Sequence, residues 1–279
     1  MKQQVEALQI GSLAANIISK PSKASVFGIS SRGIYLKSPT KWMLYLSYER
    51  FRSPLTINLM ATEADLCSVI EVGDAVQLCQ PSINFPRSDC KIQLDKSLVW
   101  NVDSAGTRTA MNERNRIAAV NYLQHREPNH ANERIASQRD GLPTSIITRV
   151  RQTLTQRDVQ RLESALISLL GYGPGLTPSG DDFVLGLMLR FNRWGGDWLS
   201  AAELDHLNRS LVEAAMLRTS QLSANLIECA AMGLADERLI AALDWLAGGE
   251  ADDLGAIEEL LCWGNSSGAL VLEGFLIDG

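Results

Sequence analysis

The spacing of the apolar residues changes part-way along the chain, and this change constrains the fold more than any other feature of the sequence. Up to Val102 the apolar residues fall in short runs rich in β-branched and aromatic side chains, which Ser, Pro, Gly and Asp separate. From Ser145 onward they recur at helical spacing. Short runs bounded by turn residues are typical of strands, and a helical period is typical of amphipathic helices. We therefore expect an α+β fold, with a small antiparallel β-barrel or sandwich-like domain followed by a mostly α-helical domain.

The same pattern sets the expected boundaries. The sequence predicts a β-rich domain at 1–103, a polar connecting segment at 104–144 and a helical ligand-binding domain with glycine-rich loops at 145–279. The predicted strands are Ala24–Ile29, Gly33–Leu36, Trp42–Leu46, Leu55–Leu59, Ala75–Leu78, Lys91–Leu94 and Leu98–Val102. The connecting segment is expected to hold a helix at Ala110–Gln124 and a mobile stretch at Arg126–Gly141. The predicted helices of the last domain include Val159–Leu170, Leu211–Ala231, Glu237–Leu246 and Asp253–Leu261.

The charged residues are divided unequally along the chain. The whole chain has 26 Lys and Arg against 32 Asp and Glu, but after residue 160 there are six arginines, 18 acidic residues and no lysine. The second half therefore lacks the lysine that a local Schiff base or a P-loop would need. An acidic chain with only 6% aromatic residues is also a poor candidate for nucleic-acid binding.

Several other classes of protein are disfavoured. No apolar run approaches the roughly 20 residues of a membrane span, and the polar start lacks the apolar stretch of a secretory signal, so we expect a cytoplasmic protein without a membrane partner. The cysteines are odd in number and contain no C-x-x-C pair, which indicates reduced thiols: Cys67, Cys79, Cys90, Cys229 and Cys262. The histidines are too scattered for a metal cluster: His125, His130 and His206.

One glycine-rich segment has the composition of a functional loop. Residues 171–183 read GYGPGLTPSGDDF and join two predicted helices. We expect Gly171 to end the first helix in a left-handed conformation, and Thr177 or Ser179 to supply the N-cap of the second. A simple turn needs one glycine and one cap, whereas this segment has four glycines, two prolines and two carboxylates. The excess indicates a loop that binds an anion through exposed backbone N–H groups at a helix start.

The two carboxylates restrict what this loop can bind. Asp181 and Asp182 would repel a bare phosphate unless a cation or a hydrogen-bond donor lies between them. A ligand with an anionic end and an amide or ureido end removes the conflict, because its N–H groups donate to a carboxylate while its anionic end lies against backbone amides. A bound Mg²⁺ would serve as well, with Asp181 and Asp182 as its ligands. The sequence leaves both open.

A second segment, Trp263–Gly268, has similar features. Both segments contain the pattern S-G-x5-G, which begins at Ser179 and at Ser267 and ends at Gly186 and at Gly274. Two such helix starts would face one ligand from opposite sides if the similarity is real. Coincidence is the alternative, because only three positions are identical.

The same segment also fits G-x-S-x-G, the nucleophile elbow of α/β hydrolases. That elbow needs a preceding strand and a following histidine. The preceding segment is predicted to be helical, and no histidine follows His206. The sequence therefore argues against a serine hydrolase.

A third candidate segment is Leu217–Asn225, where hydroxyl and amide groups crowd on a predicted helix. Ser and Thr inside a helix are usually neutral or bonded to the preceding turn. Arg218 is more informative, because its planar guanidinium suits a carboxylate or phosphate, although a surface or structural role is the alternative. Arg190 and Arg193 are further candidates for anion binding in the acidic half.

The string GYGPGLTPSGDDFVLGLML at 171–189 resembles the G-x-GPGLTPSGDD-x3-G signature of the DUF2877 family, which includes the third subunit of oxamate carbamoyltransferase from anaerobic allantoin degradation. The resemblance extends more loosely through Arg218–Ala231 and 264–275, so it covers the C-terminal part of the chain. The chain departs from the family pattern in the second segment, where Asn265 stands for an expected His and Leu270 for an expected Asp.

The resemblance implies a subunit of a complex that phosphorolyses a ureido acid such as oxalurate, giving carbamoyl phosphate and an amide such as oxamate, in purine or allantoin catabolism. Its implied partners are the other subunits, including a chain similar to the succinyl-CoA synthetase alpha subunit. The alternative is a non-catalytic subunit that binds a small anion or acts as a scaffold. Phosphorolysis needs no protein nucleophile, so catalysis would depend on positioning and electrostatic stabilisation.

Together, the loop chemistry and the resemblance predict the site residues. Catalytic roles are expected for Asp181, Asp182 and Arg218. Backbone amides of the loop are expected to hold the anion, and the carboxylates to hold the carbamoyl nitrogen or a metal. The predicted ligand-binding residues are Gly173, Gly175, Thr177, Ser179, Gly180, Asn265, Ser266, Ser267 and Gly268.

Overall fold

A computed structural model describes residues 3–61, 66, 69–103, 110–125, 142–195 and 198–278. It divides into two compact units, Met1–Asp103 and Ser104–Gly279. The first unit contains the β-strands and the second is helical, which confirms the predicted α+β class. Three features discussed above lie outside the described residues: the segment Arg126–Gly141, Cys67 and His130.

The described residues of the first unit form a β-barrel and include the short helix α1 (Ser12–Ile18). Its strands are β1 (Gln3–Gly11), β2 (Ser22–Ser30), β3 (Gly33–Lys37), β4 (Met43–Ser47), β5 (Thr56–Leu59), β6 (Ala75–Cys79), β7 (Ser82–Phe85), β8 (Cys90–Gln93) and β9 (Leu98–Trp100). Every predicted strand overlaps one of these strands. The structure also contains β1, β7 and α1, which the sequence pattern did not predict.

Strand β1 closes the barrel. The strand order is β5-β4-β3-β2-β6-β7-β8-β1, and the pairing of β1 with β5 joins the two ends into an eight-stranded barrel. The first residues of β1 pair with β8, and its last residues pair with the extra strand β9. Most pairings are antiparallel as expected, but β1–β8, β1–β9 and β4–β5 are parallel. Alternate apolar side chains, including Ile34, Leu36, Leu44 and Leu46, are fully buried in this unit.

The second unit packs its helices around a central one. The helices are α2 (Glu113–His125), α3 (Thr144–Gln156), α4 (Val159–Leu169), α5 (Ser179–Trp194), α6 (Ala201–Arg218), α7 (Gln221–Ala231), α8 (Glu237–Gly248), α9 (Gly255–Leu261) and α10 (Ser267–Leu276). Helix α5 is buried along nearly its whole length and packs against α4, α6, α7 and α10. Among the described helices, none is both long and apolar enough to cross a membrane.

The prediction of one continuous helix at Leu211–Ala231 is wrong. Thr219 adopts an extended conformation after α6, and Ser220 begins α7 as its N-cap, where its hydroxyl accepts the backbone N–H of Ser223 at 3.0 Å. Hydroxyl side chains favour such caps over helix interiors because they satisfy the unpaired N–H groups of a helix start. The break turns the hydroxyl-rich segment into a junction between α6 and α7.

Helices α5 and α10 are in direct backbone contact at two glycines. A Cβ on Gly186 would overlap the carbonyl oxygen of Val271, and a Cβ on Gly274 would overlap that of Phe183. The close approach expected at Gly186 is therefore that of another helix. The hydroxyls of Thr177 and Ser267 lie 3.1 Å apart near the helix starts, so the two helices run in the same direction with their N-termini at one end.

We predict that Gly274→Ala destabilises the helical unit by at least about 2 kcal/mol, because the added methyl group must push two helix backbones apart. Gly248→Ala is the matched control, since Gly248 also lies in a helix but has open space around it. Urea denaturation followed by the helical circular dichroism signal would measure both. Equal stability of the two variants would contradict the close contact.

Candidate functional site

The glycine-rich loop runs from the end of α4 to the start of α5. Gly171 follows the helix with φ of 79°, which confirms the predicted left-handed helix end. The predicted side-chain N-cap is wrong: Pro178 occupies the N-cap position, and no side chain caps the helix start. A proline side chain has no acceptor to cap the helix, and the Thr177 hydroxyl lies against Ser267 of α10. The loop itself is exposed from Gly171 to Leu176, whereas the first turn of α5 is buried.

Asp181 is buried in this first turn and is satisfied by three donors. One carboxylate oxygen accepts the backbone N–H of Gly171 at 2.7 Å, and the other accepts the hydroxyls of Ser223, at 2.7 Å, and Thr219. Burial raises the pKa of this carboxyl, and the hydrogen bonds from Thr219, Gly171 and Ser223 lower it in part. Asp181 therefore ties the loop and α5 to the junction between α6 and α7.

Asp182 has a different environment. Its side chain is 2% exposed, and its Oδ2 atom has no hydrogen-bond partner among the described residues. Burial raises the pKa of Asp182 well above its usual value; a hydrogen bond from Ser267 lowers it in part, and the nearby Asp181 raises it further. An unsatisfied buried polar group costs about 1–3 kcal/mol. The described residues therefore offer this buried oxygen no donor.

Three polar side chains form a chain of hydrogen bonds from the loop to Asp182. The hydroxyls of Thr177 and Ser267 share a hydrogen bond across 3.1 Å, and a hydrogen bond between Ser267 and Asp182 lowers the pKa of that carboxyl in part. The first residue of α10 is thereby joined to both the loop and α5. This chain brings the predicted ligand-binding residues Thr177 and Ser267 together with the predicted catalytic residue Asp182.

The loop also presents unpaired backbone donors. Within the described part of the chain, the N–H groups of Gly175, Leu176, Thr177 and Ser179 have no hydrogen-bond acceptor. Gly175 has φ of 96° and open space around its Cα, so the loop adopts this path because the residue is glycine. Unpaired N–H groups ahead of a helix start are well suited to bind an anion, since the helix dipole favours negative charge there.

The remaining glycines of the prediction serve the packing of the loop. Gly173 has φ of 109°, and a Cβ there would lie 2.8 Å from the backbone nitrogen of Ser179. The N–H of Gly180 donates to the carbonyl oxygen of Tyr172 at 2.9 Å, and that of Gly268 donates to Trp263 at 3.0 Å. These glycines fix the shape of the two loops.

The predicted residues of the second segment occupy the start of α10. Asn265 is exposed, Ser266 is at the N-cap position without a side-chain cap, and Ser267 is buried. The helix α9 precedes the G-x-S-x-G string, so the strand that a nucleophile elbow needs is replaced by a helix.

The arginines of the predicted set donate to backbone carbonyl oxygens. The exposed Arg218 donates to the carbonyl oxygen of Ile167 at 3.2 Å, at the end of α4. Arg190 and Arg193 lie in the last turns of α5, far along the helix from Asp182. Arg190 donates to two carbonyl oxygens at the end of α10, each at 2.7 Å, and Arg193 donates to Gly233 at 3.3 Å.

The sequence reasoning did not assign Thr219, Ser220 and Ser223 to the site. Two of them donate to Asp181, and the Ser220 hydroxyl donates to the carbonyl oxygen of Leu176 in the loop. The signal was the crowding of hydroxyl groups at Leu217–Asn225. A predicted break between α6 and α7 would have placed these hydroxyls at a helix junction, where they bond to groups outside their own helix.

The donor set limits the ways in which a metal could be held. In the part of the chain that the structure describes, no group of three or more His, Cys, Asp or Glu residues is placed to hold an ion. Both oxygens of Asp181 already accept hydrogen bonds. Of the two carboxyls, Asp182 is the one with an oxygen that accepts no hydrogen bond from the described residues.

Residues 169–278 match the family model described as oxamate carbamoyltransferase subunit AllH. This segment is therefore similar to the AllH family, which is the DUF2877 family. The match runs from the last residue of α4 to the end of the described chain, so it includes both loops, Asp181, Asp182 and the α5–α10 pair. The family is named for a subunit of a carbamoyltransferase complex. No curated protein and no solved structure matches the chain.

We predict that Asp181→Ala lowers the free energy of unfolding of the helical unit by about 1–3 kcal/mol more than Asp182→Ala does. The two changes delete the same atoms from adjacent buried positions, but the first also leaves three donors unpaired. Chemical denaturation at pH 7 would compare them. Equal losses would show that Asp181 does not hold the loop to the α6–α7 junction.

The raised pKa of Asp182 predicts a pH-dependent stability. Above about pH 4 the unfolded chain ionises this carboxyl while the folded chain keeps its proton, so stability falls by up to about 1.4 kcal/mol per pH unit until the raised pKa is reached. Asp182→Asn removes this titration. The stability of the variant relative to the original chain should therefore increase between pH 4 and 8, and a difference that is constant with pH would contradict the burial of an unpaired carboxyl.

Proposed function

We propose that this chain is a subunit of a carbamoyltransferase complex that phosphorolyses a ureido acid such as oxalurate. The products would be carbamoyl phosphate and an amide such as oxamate. The observation that carries the proposal is the buried Asp182, whose Oδ2 lies unpaired at the start of α5 beside a loop with unpaired backbone N–H groups. The AllH match over 169–278 supports the reaction class.

The reactants and products of this reaction carry both an anionic group and N–H donors, which suit the backbone N–H groups of the loop and the carboxyl of Asp182. A phosphate oxygen attacks the carbamoyl carbon, the bond from that carbon to the amide nitrogen breaks, and the proton of the attacking hydrogen phosphate ends on the departing nitrogen. Carbamoyl phosphate thus has an anionic end and an NH₂ end. We assign the phosphate to the N–H groups of Gly175, Leu176, Thr177 and Ser179 and the NH₂ to Asp182, so that each group of the ligand meets a complementary group of the protein.

Catalysis would then come from positioning. The loop and Asp182 would hold phosphate and the carbamoyl carbon next to each other, which replaces an encounter in solution by a reaction between bound groups. Asp181 acts through the loop, because its oxygens are already occupied by three donors. In this proposal the complex works in the cytoplasm, in purine or allantoin catabolism, with a partner similar to the succinyl-CoA synthetase alpha subunit.

The position of Arg218 favours a second candidate. Its guanidinium donates to the carbonyl oxygen of Ile167, and no ion pair joins it to Asp181 or Asp182 in the described part of the chain. A subunit that binds the small anion while a partner chain supplies the reacting groups would have this arrangement. The alternative function is therefore a non-catalytic anion-binding or scaffold subunit of the same complex.

We predict that carbamoyl phosphate binds the full chain and that Asp182→Ala weakens this binding at least tenfold, which corresponds to about 1.4 kcal/mol. Inorganic phosphate lacks the N–H donors, so its affinity should fall by less than about threefold. Asp252→Ala is the control, because Asp252 is an exposed carboxylate of the same unit. Isothermal titration would measure both ligands, and absence of binding by either one would contradict the site.

Turnover separates the two candidate functions. With the assembled complex, loss of oxalurate arsenolysis or phosphorolysis in Asp182→Ala would support a catalytic site on this chain. Activity that survives both Asp181→Ala and Asp182→Ala would support the scaffold.

A further inference from the structure

The two glycine-rich segments have the same local structure at corresponding positions. A Cβ on Gly180 would overlap the carbonyl oxygen of Leu169, in the helix before the first loop, and a Cβ on Gly268 would overlap that of Leu260, in the helix before the second. Gly180 and Gly268 are each the second residue of their helix. In both cases the glycine lets a helix start directly against the end of the preceding helix.

The hydrogen bonds correspond as well. The N–H of Gly180 donates to the carbonyl oxygen of Tyr172, and the N–H of Gly268 donates to that of Trp263. Both aromatic residues follow the end of a helix, and in turn their own N–H groups donate to the two leucines named above, at 2.9 and 2.8 Å. Each segment therefore closes its loop with the same pair of backbone bonds.

The next residue in each segment is a glycine with positive φ. Gly173 is pressed against Ser179, and Gly264 against Ser267, which are the first residues of α5 and α10. Together with the reciprocal glycine contact between the two helices, these matches make the S-G-x5-G strings the two halves of an internal repeat. Of the two explanations that the sequence left open, the structure favours real similarity over coincidence.

The two repeats differ in their acidic residues. Asp181 and Asp182 of the first repeat correspond to Ala269 and Leu270 of the second. Leu270 is buried, as Asp182 is. Since the second repeat begins its helix with an apolar pair, the fold does not require carboxyls at these positions. The unpaired carboxyl is an addition to the repeat, and it lies where the two helix starts meet.

The repeats also differ in loop length. Five residues separate Gly173 from Ser179, whereas two separate Gly264 from Ser267. The short loop keeps unpaired donors of its own, because the N–H groups of Asn265, Ser266 and Ser267 have no acceptor among the described residues. It is therefore a smaller version of the donor set that the long loop presents.

We propose that the Gly264–Ser267 loop is a second anion subsite, which binds the carboxylate of the ureido acid while the longer loop binds phosphate and Asp182, between them, accepts hydrogen bonds from the ureido nitrogen. This inference rests on the proposed function and specifies its substrate class. The observations that carry it are the repeat, the unpaired N–H groups of both loops, and the buried Oδ2 of Asp182, whose carboxyl is bonded to Ser267 at the second helix start.

The chemistry of the ligand matches this division. A carboxylate has two oxygens and needs fewer donors than a phosphate, which agrees with the short second loop. Oxamate and oxalurate each carry a carboxylate at one end and an amide nitrogen within reach of the same acceptor. Ureides that lack a carboxylate would leave the second subsite empty and are expected to bind weakly.

Simultaneous binding is the direct test of two subsites. Oxamate would be titrated calorimetrically into the full chain, once alone and once with inorganic phosphate at about twenty times its own Kd. Two subsites predict an oxamate Kd that changes less than about threefold. A single shared subsite predicts an apparent Kd about twentyfold higher, and that result would overturn the proposal.

A charge placed on the second loop locates the carboxylate. Asn265→Asp should weaken oxamate at least fivefold, and by a larger factor than it weakens phosphate, because the new charge lies beside the carboxylate. Gln152→Glu is the matched control, since it also converts an exposed amide to a carboxylate, on α3. Equal effects of the two variants on oxamate would overturn the assignment of the second loop.

These outcomes also distinguish the two levels of the proposal. If phosphate and carbamoyl phosphate bind but oxamate binding is absent, or competes with phosphate, the second subsite is wrong and the proposed function stands. If the unaltered chain binds neither phosphate nor carbamoyl phosphate, the proposed function fails and this inference fails with it.

Discussion

The backbone contact between α5 and α10 determines the geometry of everything else in the helical unit. Two helices approach this closely only where both lack side chains, and Gly186 and Gly274 meet that condition reciprocally. Because the helices run in the same direction, their starts come together, and each start brings a loop with unpaired N–H groups. The site is thus a consequence of helix packing.

Parallel helix starts have an electrostatic consequence. The N-terminus of a helix carries a partial positive charge, and two of them side by side repel each other unless negative charge lies nearby. Asp181 and Asp182 lie at this position, but burial raises the pKa of both carboxyls and so disfavours their negative charge, which a bound anion would supply instead. Asp181 is held by three donors, whereas Asp182 keeps an unpaired oxygen and a raised pKa. The adjacent carboxyls therefore have separate roles, one in holding the loop and one in meeting a ligand.

Much of this could be predicted from the sequence, because strong local patterns determine it. The composition of 171–183 located the loop, Gly171 ended its helix as expected, and the S-G-x5-G pattern located the second helix start. The barrel strand β1 was missed because its sequence QQVEALQIG has only two β-branched residues and no aromatic one, and its pairing with β5 and β8 is long-range. The roles of Asp181 and Asp182 were not separable, since they depend on Thr219 and Ser223 across a helix break that the apolar period concealed.

The central claim is that the two loops and Asp182 form one ligand site, and a crystal structure of the full chain with carbamoyl phosphate tests it most directly. We expect the phosphate against the backbone N–H groups of Gly175, Leu176, Thr177 and Ser179 and the NH₂ group within hydrogen-bond distance of Asp182 Oδ2. Carbamoyl phosphate bound elsewhere, with the loops empty and Asp182 still unpaired, would contradict it.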